Sequence, residues 1–322
     1  MDEADAGLAA RHESFVSDRN RLLYHRPDMR LVSTVVAVAA LTQLALAQQP
    51  PPFRSSVNVV PVFATVLDAT GAYAGGLTQD DFTVLDNGKT QEIQLFSSEA
   101  QAISVSVILD TSGSMQAALP RLFAAASVFL DNLRPDDRAM VGTLVYKGPP
   151  FTADKVRLRT SLDLLPVDPG SPVWASLDRS ISTLGEESNR RVIVIYTDGK
   201  NSDLRTPSRP RGAKLPPAPT ESSIRARVEA DGVMIYAIGF EGASLSSGMK
   251  TVAARSGGRA TELKQTDDLA SALTAIADEL HHQYLLGFKP AALDGRMHQI
   301  AVRIRPAGLT VRARANYLAQ AR

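Results

Sequence analysis

Hydrophobic and polar positions divide most of the chain into three regions of different periodicity. In residues 57–98, apolar and polar residues alternate over short runs that turn residues interrupt, which predicts β-strands. In residues 102–282, continuous apolar runs alternate with amphipathic segments, which predicts strands and helices in turn. Residues 283–318 return to short runs typical of strands. The middle region is therefore expected to form a doubly wound α/β fold, a mostly parallel sheet with helices on both faces, between two flanking β segments.

The elements of these regions can be placed approximately. The strands of the middle region are expected at 103–109, 139–145, 191–196, 233–239 and near 260. Its helices are expected at 119–133, 172–184, 221–230 and 267–280, with a further segment at 247–256. In the first β segment, Asn87-Gly88 predicts a tight hairpin turn that residues 91–96 complete.

The most apolar run of the chain, Leu31–Ala47, lies near its beginning. It follows Met29-Arg30 and ends in Ala45-Leu46-Ala47, a small-x-small pattern. A basic residue, an apolar stretch and such a site are typical of a secretory signal peptide, which we place at residues 29–47. An uncleaved signal that anchors the chain in the membrane is the alternative.

The residues on either side of this signal decide where the mature chain begins. Residues 1–28 are polar and of mixed charge, which is unusual before a signal peptide. They are interpreted either as a long n-region or as residues that are not translated, because translation would begin at Met29. Cleavage after Ala47 would start the mature chain near Gln48. The protein is then expected to be secreted or periplasmic.

Composition removes several classes of protein. Hydrophobic residues are 44% and charged residues 21% of the 322, which fits neither wholesale disorder nor a multi-span membrane protein. With 35 Lys plus Arg against 34 Asp plus Glu, the chain lacks the basic surplus of a nucleic-acid binder. The absence of Cys excludes disulfides, thiolate metal sites and Cys nucleophiles, and five His leave little material for a His-rich metal site.

Two basic parts of the sequence have both a functional and a purely structural interpretation. Residues 203–220 are rich in Pro and basic residues and are expected to form a long surface loop, with passive disorder favoured over a binding role. Arg303, Arg305, Arg312 and Arg314 share the polar phase of their strands and are interpreted as a solvated sheet face rather than a binding face.

The motif with the clearest chemistry follows the first strand of the middle region. Asp110, Ser112 and Ser114 form a D-x-S-x-S turn, Asp198 follows the third strand in Thr-Asp-Gly, and Ser171 opens a helix between them. Ligands of open parallel sheets bind beyond the carboxyl ends of the strands, where these residues are expected to meet. Carboxylate and hydroxyl oxygens are hard ligands that suit Mg²⁺.

Each loop taken alone has a structural interpretation. Asp110 and Ser112 would cap the helix that follows them, and Asp198 would lie in a turn. The two loops together, in this order along the chain, favour metal binding.

At these residues the sequence resembles the von Willebrand factor type A (VWA) domain, over about residues 102–282. The resemblance implies a Rossmann-like α/β fold and a metal-ion-dependent adhesion site that holds Mg²⁺, with Mn²⁺ or Ca²⁺ as alternatives. Carried over position by position, it implies the metal ligands Asp110, Ser112, Ser114, Ser171 and Asp198. The second-loop ligand is usually Thr in the family; Ser171 keeps the oxygen but lacks the methyl group that restricts its rotation.

The flanking segments extend the resemblance. The stretch Gly-Leu-Thr-x-x-Asp-Phe at 76–82, the Tyr-x-x-Gly-Phe at 284–288 and the stretch 312–317 are similar to exported bacterial VWFA-related proteins of the Acidobacteria type. This likeness implies that residues 57–98 and 283–318 pack together as one small β-sandwich into which the α/β domain is inserted.

The resemblance implies a protein-binding module of the adhesion type and not an enzyme. A Mg²⁺ ion with few charged ligands keeps an open position, which an Asp or Glu of a protein partner would fill. A phosphatase of the haloacid dehalogenase type is one alternative, although Ser112 stands where its acid/base Asp would be needed. A structural envelope protein with a vestigial site is another. A Ser–His–Asp hydrolase fails because no G-x-S-x-G elbow is present, and His281 and His282 are interpreted as a satisfied surface or core pair.

Overall fold

The computed structural model describes residues 59–202, 217–239, 244–264 and 268–320. The predicted signal peptide at 29–47, residues 1–28 and most of the Pro-rich segment, 203–216, lie outside the described residues. Within the described ranges, no helix is long and apolar enough to cross a membrane.

The elements follow one another in the order that the hydrophobic pattern predicts. The strands are β1 Val60–Leu67, β2 Phe82–Asp86, β3 Lys89–Gln91, β4 Ile93–Ser97, β5 Ile103–Leu109, β6 Arg138–Thr143, β7 Arg190–Thr197, β8 Met234–Gly239, β9 Arg259–Glu262, β10 Tyr284–Phe288, β11 Met297–Ile304, β12 Thr310–Arg312 and β13 Asn316–Leu318. The α-helices are α1 Leu119–Asp131, α2 Lys155–Asp163, α3 Val173–Leu184, α4 Glu221–Asp231, α5 Ser247–Arg255 and α6 Leu269–His281.

Strands β5 to β9 form a five-stranded parallel sheet in the order β6-β5-β7-β8-β9. Helices α1, α2 and α6 pack on one face of this sheet, and α3, α4 and α5 pack on the other. Because both faces are covered, every residue of β5 and β8 is buried, including Ser104 and Ser106, which explains why these strands are mostly apolar. The predicted fold class, a doubly wound α/β sheet between flanking β segments, is confirmed.

The two ends of the described chain build two four-stranded antiparallel sheets. Their strand orders are β12-β1-β10-β4 and β13-β11-β2-β3, so each sheet takes strands from both flanking segments. Apolar residues from both segments share one core, including Val62, Val84, Leu286 and Tyr317. Neither segment therefore has a complete core without the other.

The Asn-Gly turn is confirmed, but the strand after it behaves differently from the prediction. Asn87 and Gly88 have φ angles of 47° and 80°, as a tight two-residue hairpin requires, and Asp86 pairs with Lys89. The return strand β3 ends at Gln91, however, and β4 pairs with β10 in the other sheet. The expectation that residues 91–96 complete the hairpin is wrong beyond Gln91.

Helix α2 was not predicted. Its residues Lys155–Asp163 are mostly polar, and only Leu158 and Leu162 are buried. The helix begins because the Asp154 carboxylate accepts hydrogen bonds from the amides of Val156 and Arg157. Two buried residues give too sparse an apolar pattern for sequence periodicity to detect.

The solvated-face interpretation holds for Arg303 and Arg305, which are exposed, but it is wrong for Arg312 and Arg314. Arg314 is buried, and the guanidinium of Arg312 donates to the carboxylate of Glu279 and to the carbonyl of Gly257. The physical reason is that these strand residues face the α/β domain rather than solvent.

Candidate metal centre

The candidate site lies where the doubly wound sheet changes direction. Strands β5 and β7 are neighbours, with Leu109 in register with Tyr196, yet the chain leaves β5 toward α1 on one face and leaves β7 toward α4 on the other. The loops after the two strands therefore diverge and leave a crevice between them. Asp110 and Asp198 are the residues that directly follow β5 and β7.

Asp110 is fully buried and is held from both strands. Its Oδ1 accepts a hydrogen bond from the Ser112 amide at 3.1 Å, and its Oδ2 accepts one from the Thr197 hydroxyl at 2.8 Å. The Asp110 amide also donates to the carbonyl oxygen of Tyr196 at 2.9 Å. The carboxylate is thus fixed in orientation before any ligand arrives.

The two serines of the first loop connect this carboxylate to the third loop. The Ser114 hydroxyl donates to Oδ2 of Asp198 at 2.9 Å, and the Ser112 and Ser114 hydroxyl oxygens are 3.4 Å apart. A 3-10 turn over Gly113–Ala118 carries Ser114 into this position. The structure brings Asp110, Ser112, Ser114 and Asp198 together in one hydrogen-bonded group.

Asp198 is buried and carries more than one hydrogen bond. Oδ1 accepts from the Lys200 amide and Oδ2 from the Lys200 ammonium, both at 3.0 Å. Burial raises the pKa of Asp198, but the hydrogen bonds from Lys200 and Ser114 outweigh it and hold the pKa below its usual value. Gly199, at φ +78°, makes the sharp turn that folds Lys200 back onto the carboxylate.

Ser171 is placed differently from the other four predicted ligands. Its backbone is anchored to Ser202: the Ser171 amide donates to the Ser202 hydroxyl, and the Ser171 carbonyl accepts from the Ser202 amide, both at 2.9 Å. Its own hydroxyl makes no hydrogen bond to the other four residues within the described part of the chain. The loop is fixed, but Ser171 is not joined to the group.

Sequence reasoning missed a third acidic residue at this edge of the sheet. Asp168 is 4% exposed; its Oδ1 accepts from the Thr143 hydroxyl at 2.6 Å, and its amide donates to the Thr111 hydroxyl at 3.1 Å. The pKa of Asp168 lies above its ordinary value, because burial raises it more than the hydrogen bonds from Thr143 and the Leu144 amide lower it, and the negative charge of Asp110 raises it further. In the sequence, Asp168-Pro169-Gly170 reads as a turn, so only packing reveals the residue.

The donor set suits a hard divalent cation. The group offers carboxylate and hydroxyl oxygens, which are the ligands that Mg²⁺ prefers. No three His, Cys, Asp or Glu side chains within the described ranges are grouped so that they could hold an ion by themselves, so hydroxyls would have to complete any such site. The exposed Lys200 ammonium already rests on Asp198, which shows that a cation can reach that carboxylate.

The two adjacent histidines lie away from this group. Nε2 of His281 is 2.8 Å from Oδ2 of Asp137, and Nδ1 of His282 is 2.6 Å from the carbonyl oxygen of Asp278. The His282 ring also stacks on Tyr73 with ring centroids 5.2 Å apart. Both histidines are satisfied by neighbouring residues, as their sequence interpretation states.

No protein-family model matches the chain, and none of the curated proteins matches its sequence. Solved structures with similar folds include proximal thread matrix protein 1 from the mussel byssus, at 14% identity and a TM-score of 0.46 over 67% of this chain and 50% of that one. The chain therefore spans half the length of the mussel protein.

Two further similar structures carry VWA-type names. The vWF domain of the type V pili tip protein Mfa5 from Porphyromonas gingivalis is 12% identical, with a TM-score of 0.44 over 56% of this chain and 95% of that one. A von Willebrand factor type A protein from Catenulispora acidiphila is 12% identical, with a TM-score of 0.45 over 84% of this chain and 78% of that one.

Proposed function

We propose that this chain is an exported protein-binding module of the adhesion type that binds its partner through a divalent cation. Asp110, Ser112, Ser114 and Asp198 would hold Mg²⁺, with Ser171 as the ligand of the second loop. The ion would supply an electrophilic open position, and an Asp or Glu of the partner would fill it. Mn²⁺ or Ca²⁺ would serve in place of Mg²⁺.

The hydrogen bond between Ser114 and Asp198 is the observation that carries this proposal. It joins the first and third loops at 2.9 Å, so the oxygens of two distant stretches of sequence share one place at the crevice. A plain helix cap or turn would not need that contact. Two carboxylates among several neutral hydroxyls give a donor set of low charge, which leaves a bound ion able to attract a further carboxylate.

The first loop supports binding rather than phosphoryl-transfer chemistry. Both oxygens of Asp110 accept hydrogen bonds from Ser112 and Thr197, which hold the carboxylate in one orientation while each oxygen keeps a lone pair for a cation. The neighbouring position that would carry an acid/base carboxylate is Ser112. The proposal is therefore a module that binds and does not turn over a substrate.

Export and subgroup are part of the same proposal. The pattern at residues 29–47 supports a secreted or periplasmic location. The motifs at 76–82 and 284–288 support membership of the VWFA-related proteins; the first leads through a 3-10 turn into β2, and the second forms β10.

Calorimetric titration of Mg²⁺ and Mn²⁺ into the purified chain tests the cation site. We expect saturable binding at one site, lost in Asp198→Asn and retained in Asp137→Asn. The second variant is a matched control because Asp137 is also a buried aspartate, but it lies at the opposite edge of the sheet. Wild-type protein that is folded and binds neither ion would favour the vestigial structural role.

Binding to arrayed peptides tests the role of the partner carboxylate. Peptides with one central Asp or Glu should bind the wild-type chain in the presence of Mg²⁺. Binding should disappear in EDTA, in Asp198→Asn and when the acidic residue is replaced by its amide. Peptide binding that survives EDTA would contradict a cation-mediated contact.

A further inference from the structure

Asp168 is a buried carboxylate whose two oxygens are satisfied unequally. Its Oδ1 accepts the Thr143 hydrogen bond at 2.6 Å, while Oδ2 is buried and makes no hydrogen bond within the described residues. An unpaired polar atom of this kind costs about 1–3 kcal/mol of stability, and more when it belongs to a charged group. Most buried polar atoms have a hydrogen-bond partner, and an unsatisfied one calls for an explanation such as a bound water or ion.

The position of Asp168 is set by the same elements that set the candidate site. Thr143 ends β6 and is in register with Leu109, the last residue of β5, so Asp168 lies one strand away from Asp110 at the same edge. Thr111, which lies between Asp110 and Ser112, donates to the carbonyl of Pro166 at 2.8 Å and accepts from the Asp168 amide at 3.1 Å. The first loop and the loop of Asp168 are thus held as one unit.

Two neighbours bring opposite charges to Asp168. The carboxylate of Asp110 repels it, and the guanidinium of Arg179 attracts it. Nη2 of Arg179, however, donates to the carbonyl oxygens of Thr143 and Leu144, at 3.2 and 3.0 Å. Arg179 therefore lies near Asp168 while its Nη2 is engaged by backbone carbonyls, which leaves Oδ2 of Asp168 for another group.

We infer that Asp168 is a third acidic group of the cation site, a positioning residue that strengthens the binding of a divalent ion by its charge. The inference rests on the proposed function. Asp168 need not contact the ion, since a buried charge beside Asp110 acts through a medium that screens it weakly. Its unused oxygen can also accept a hydrogen bond from a water molecule that the ion carries.

Magnesium titration of Asp168→Asn in the full chain tests this inference, with wild type and Asp137→Asn measured beside it. Asn keeps the shape of the side chain and an oxygen to accept from Thr143, so it removes chiefly the charge. We expect the Kd for Mg²⁺ to rise about 10- to 100-fold, the range typical of outer-shell partners of a metal site. Asp137→Asn should leave the Kd unchanged, although it removes a buried aspartate as well.

The outcomes separate this inference from the proposed function. A wild-type Kd retained in folded Asp168→Asn overturns the inference and leaves the proposed function standing, because Asp168 would then only balance Arg179. Wild-type protein that binds no Mg²⁺ overturns both. If Asp168→Asn does not fold, Asp168→Ser decides by the same titration, since it too removes the charge. Urea unfolding without Mg²⁺ reports the stability of each variant, so a weaker Kd is not mistaken for partial unfolding.

Discussion

The two edges of the parallel sheet differ in the partners that satisfy their buried acidic residues. At the amino edge, Asp137 accepts from the Ile103 amide at 3.0 Å and from the Arg134 amide at 2.7 Å, and His281 lies 2.8 Å from the same carboxylate. Glu279, on the last helix, is the second example at this edge. Its donors are Tyr236 at 2.6 Å, Thr65 at 3.2 Å and the guanidinium of Arg312.

At the carboxyl edge of the described chain, Asp168 keeps an unused oxygen and Asp198 is held in part by an exposed lysine. Oδ2 of Asp168 has no hydrogen bond among the described residues, and Asp198 shares one oxygen between Ser114 and the 75%-exposed Lys200. Satisfied carboxylates stabilise a fold, because each lost partner leaves a buried charge. A carboxylate with an unused oxygen, or with an exposed lysine as a partner that an ion can displace, is suited to bind a cation. Mutations at the two edges should therefore separate stability from binding.

The largest effect is expected from Glu279→Gln at the amino edge. This change removes the charge that Arg312 and the nearby Arg259 need, and breaking a buried ion pair typically lowers the free energy of unfolding by about 3–5 kcal/mol. Urea unfolding measures the loss, and the Kd for Mg²⁺ in the folded fraction should not change. A loss below about 1 kcal/mol would show that the network stabilises less than its hydrogen bonds suggest.

Mg²⁺ should stabilise the protein through the carboxyl edge alone. At 100 times the Kd, an ion that binds only the folded state adds about 2.7 kcal/mol to the free energy of unfolding. Thermal or urea unfolding with Mg²⁺ and with EDTA measures this gain, which Asp198→Asn should abolish and Asp137→Asn should retain. An equal gain in Asp198→Asn would place the ion elsewhere.

Asp137→Asn should lower the free energy of unfolding by about 2 kcal/mol at neutral pH, since it weakens several charge-assisted hydrogen bonds. Burial raises the pKa of Asp137, but the hydrogen bonds from His281, Ile103 and Arg134 outweigh it, so the pKa lies below its ordinary value of 3.8. A depressed pKa stabilises the folded state above the unfolded pKa, and this stability is lost as the pH falls through the folded pKa. The difference between wild type and variant should therefore shrink as the pH falls below 3.8 and disappear below the folded pKa; a constant difference would contradict the assignment.

The smallest effect is expected from Lys200→Met. The Lys200 ammonium occupies an oxygen of Asp198 that the ion would use, but its side chain is 75% exposed, and such pairs are worth at most about 1 kcal/mol. Removing the competing charge should tighten the Kd for Mg²⁺ about two- to fivefold. Lys250→Met, which removes a lysine paired with Glu262, is the matched control. A weaker Kd in Lys200→Met would mean that the lysine assists binding.

The sequence predicted those parts of the molecule that repeat a strong local pattern. Asp110 and Asp198 could be assigned to one edge of the sheet from the sequence alone, because each directly follows an apolar strand, β5 or β7. The sequence pattern missed helix α2 because only two of its residues, both leucines, are buried and because its start depends on the Asp154 cap. Asp168 was missed because its burial depends on Thr143 and Thr111, which come from other loops. The prediction of a solvated face was wrong for Arg312. Strand alternation separates the two faces of a strand, but it does not reveal that the polar face packs against the α/β domain.

One consequence of the strand order concerns how the chain folds. Val60 pairs with Phe288 and Val62 with Leu286, so the antiparallel sheets close a loop that contains the whole α/β domain. Such distant pairing is slow unless something first brings the ends together. Asp137 does this, since its two oxygens bind Ile103, where the inserted domain begins, and His281, where its last helix ends. We therefore expect the parallel sheet to form first and to act as a template on which the outer strands join, so that Asp137→Asn would slow the assembly of the outer sheets more than that of the inner one.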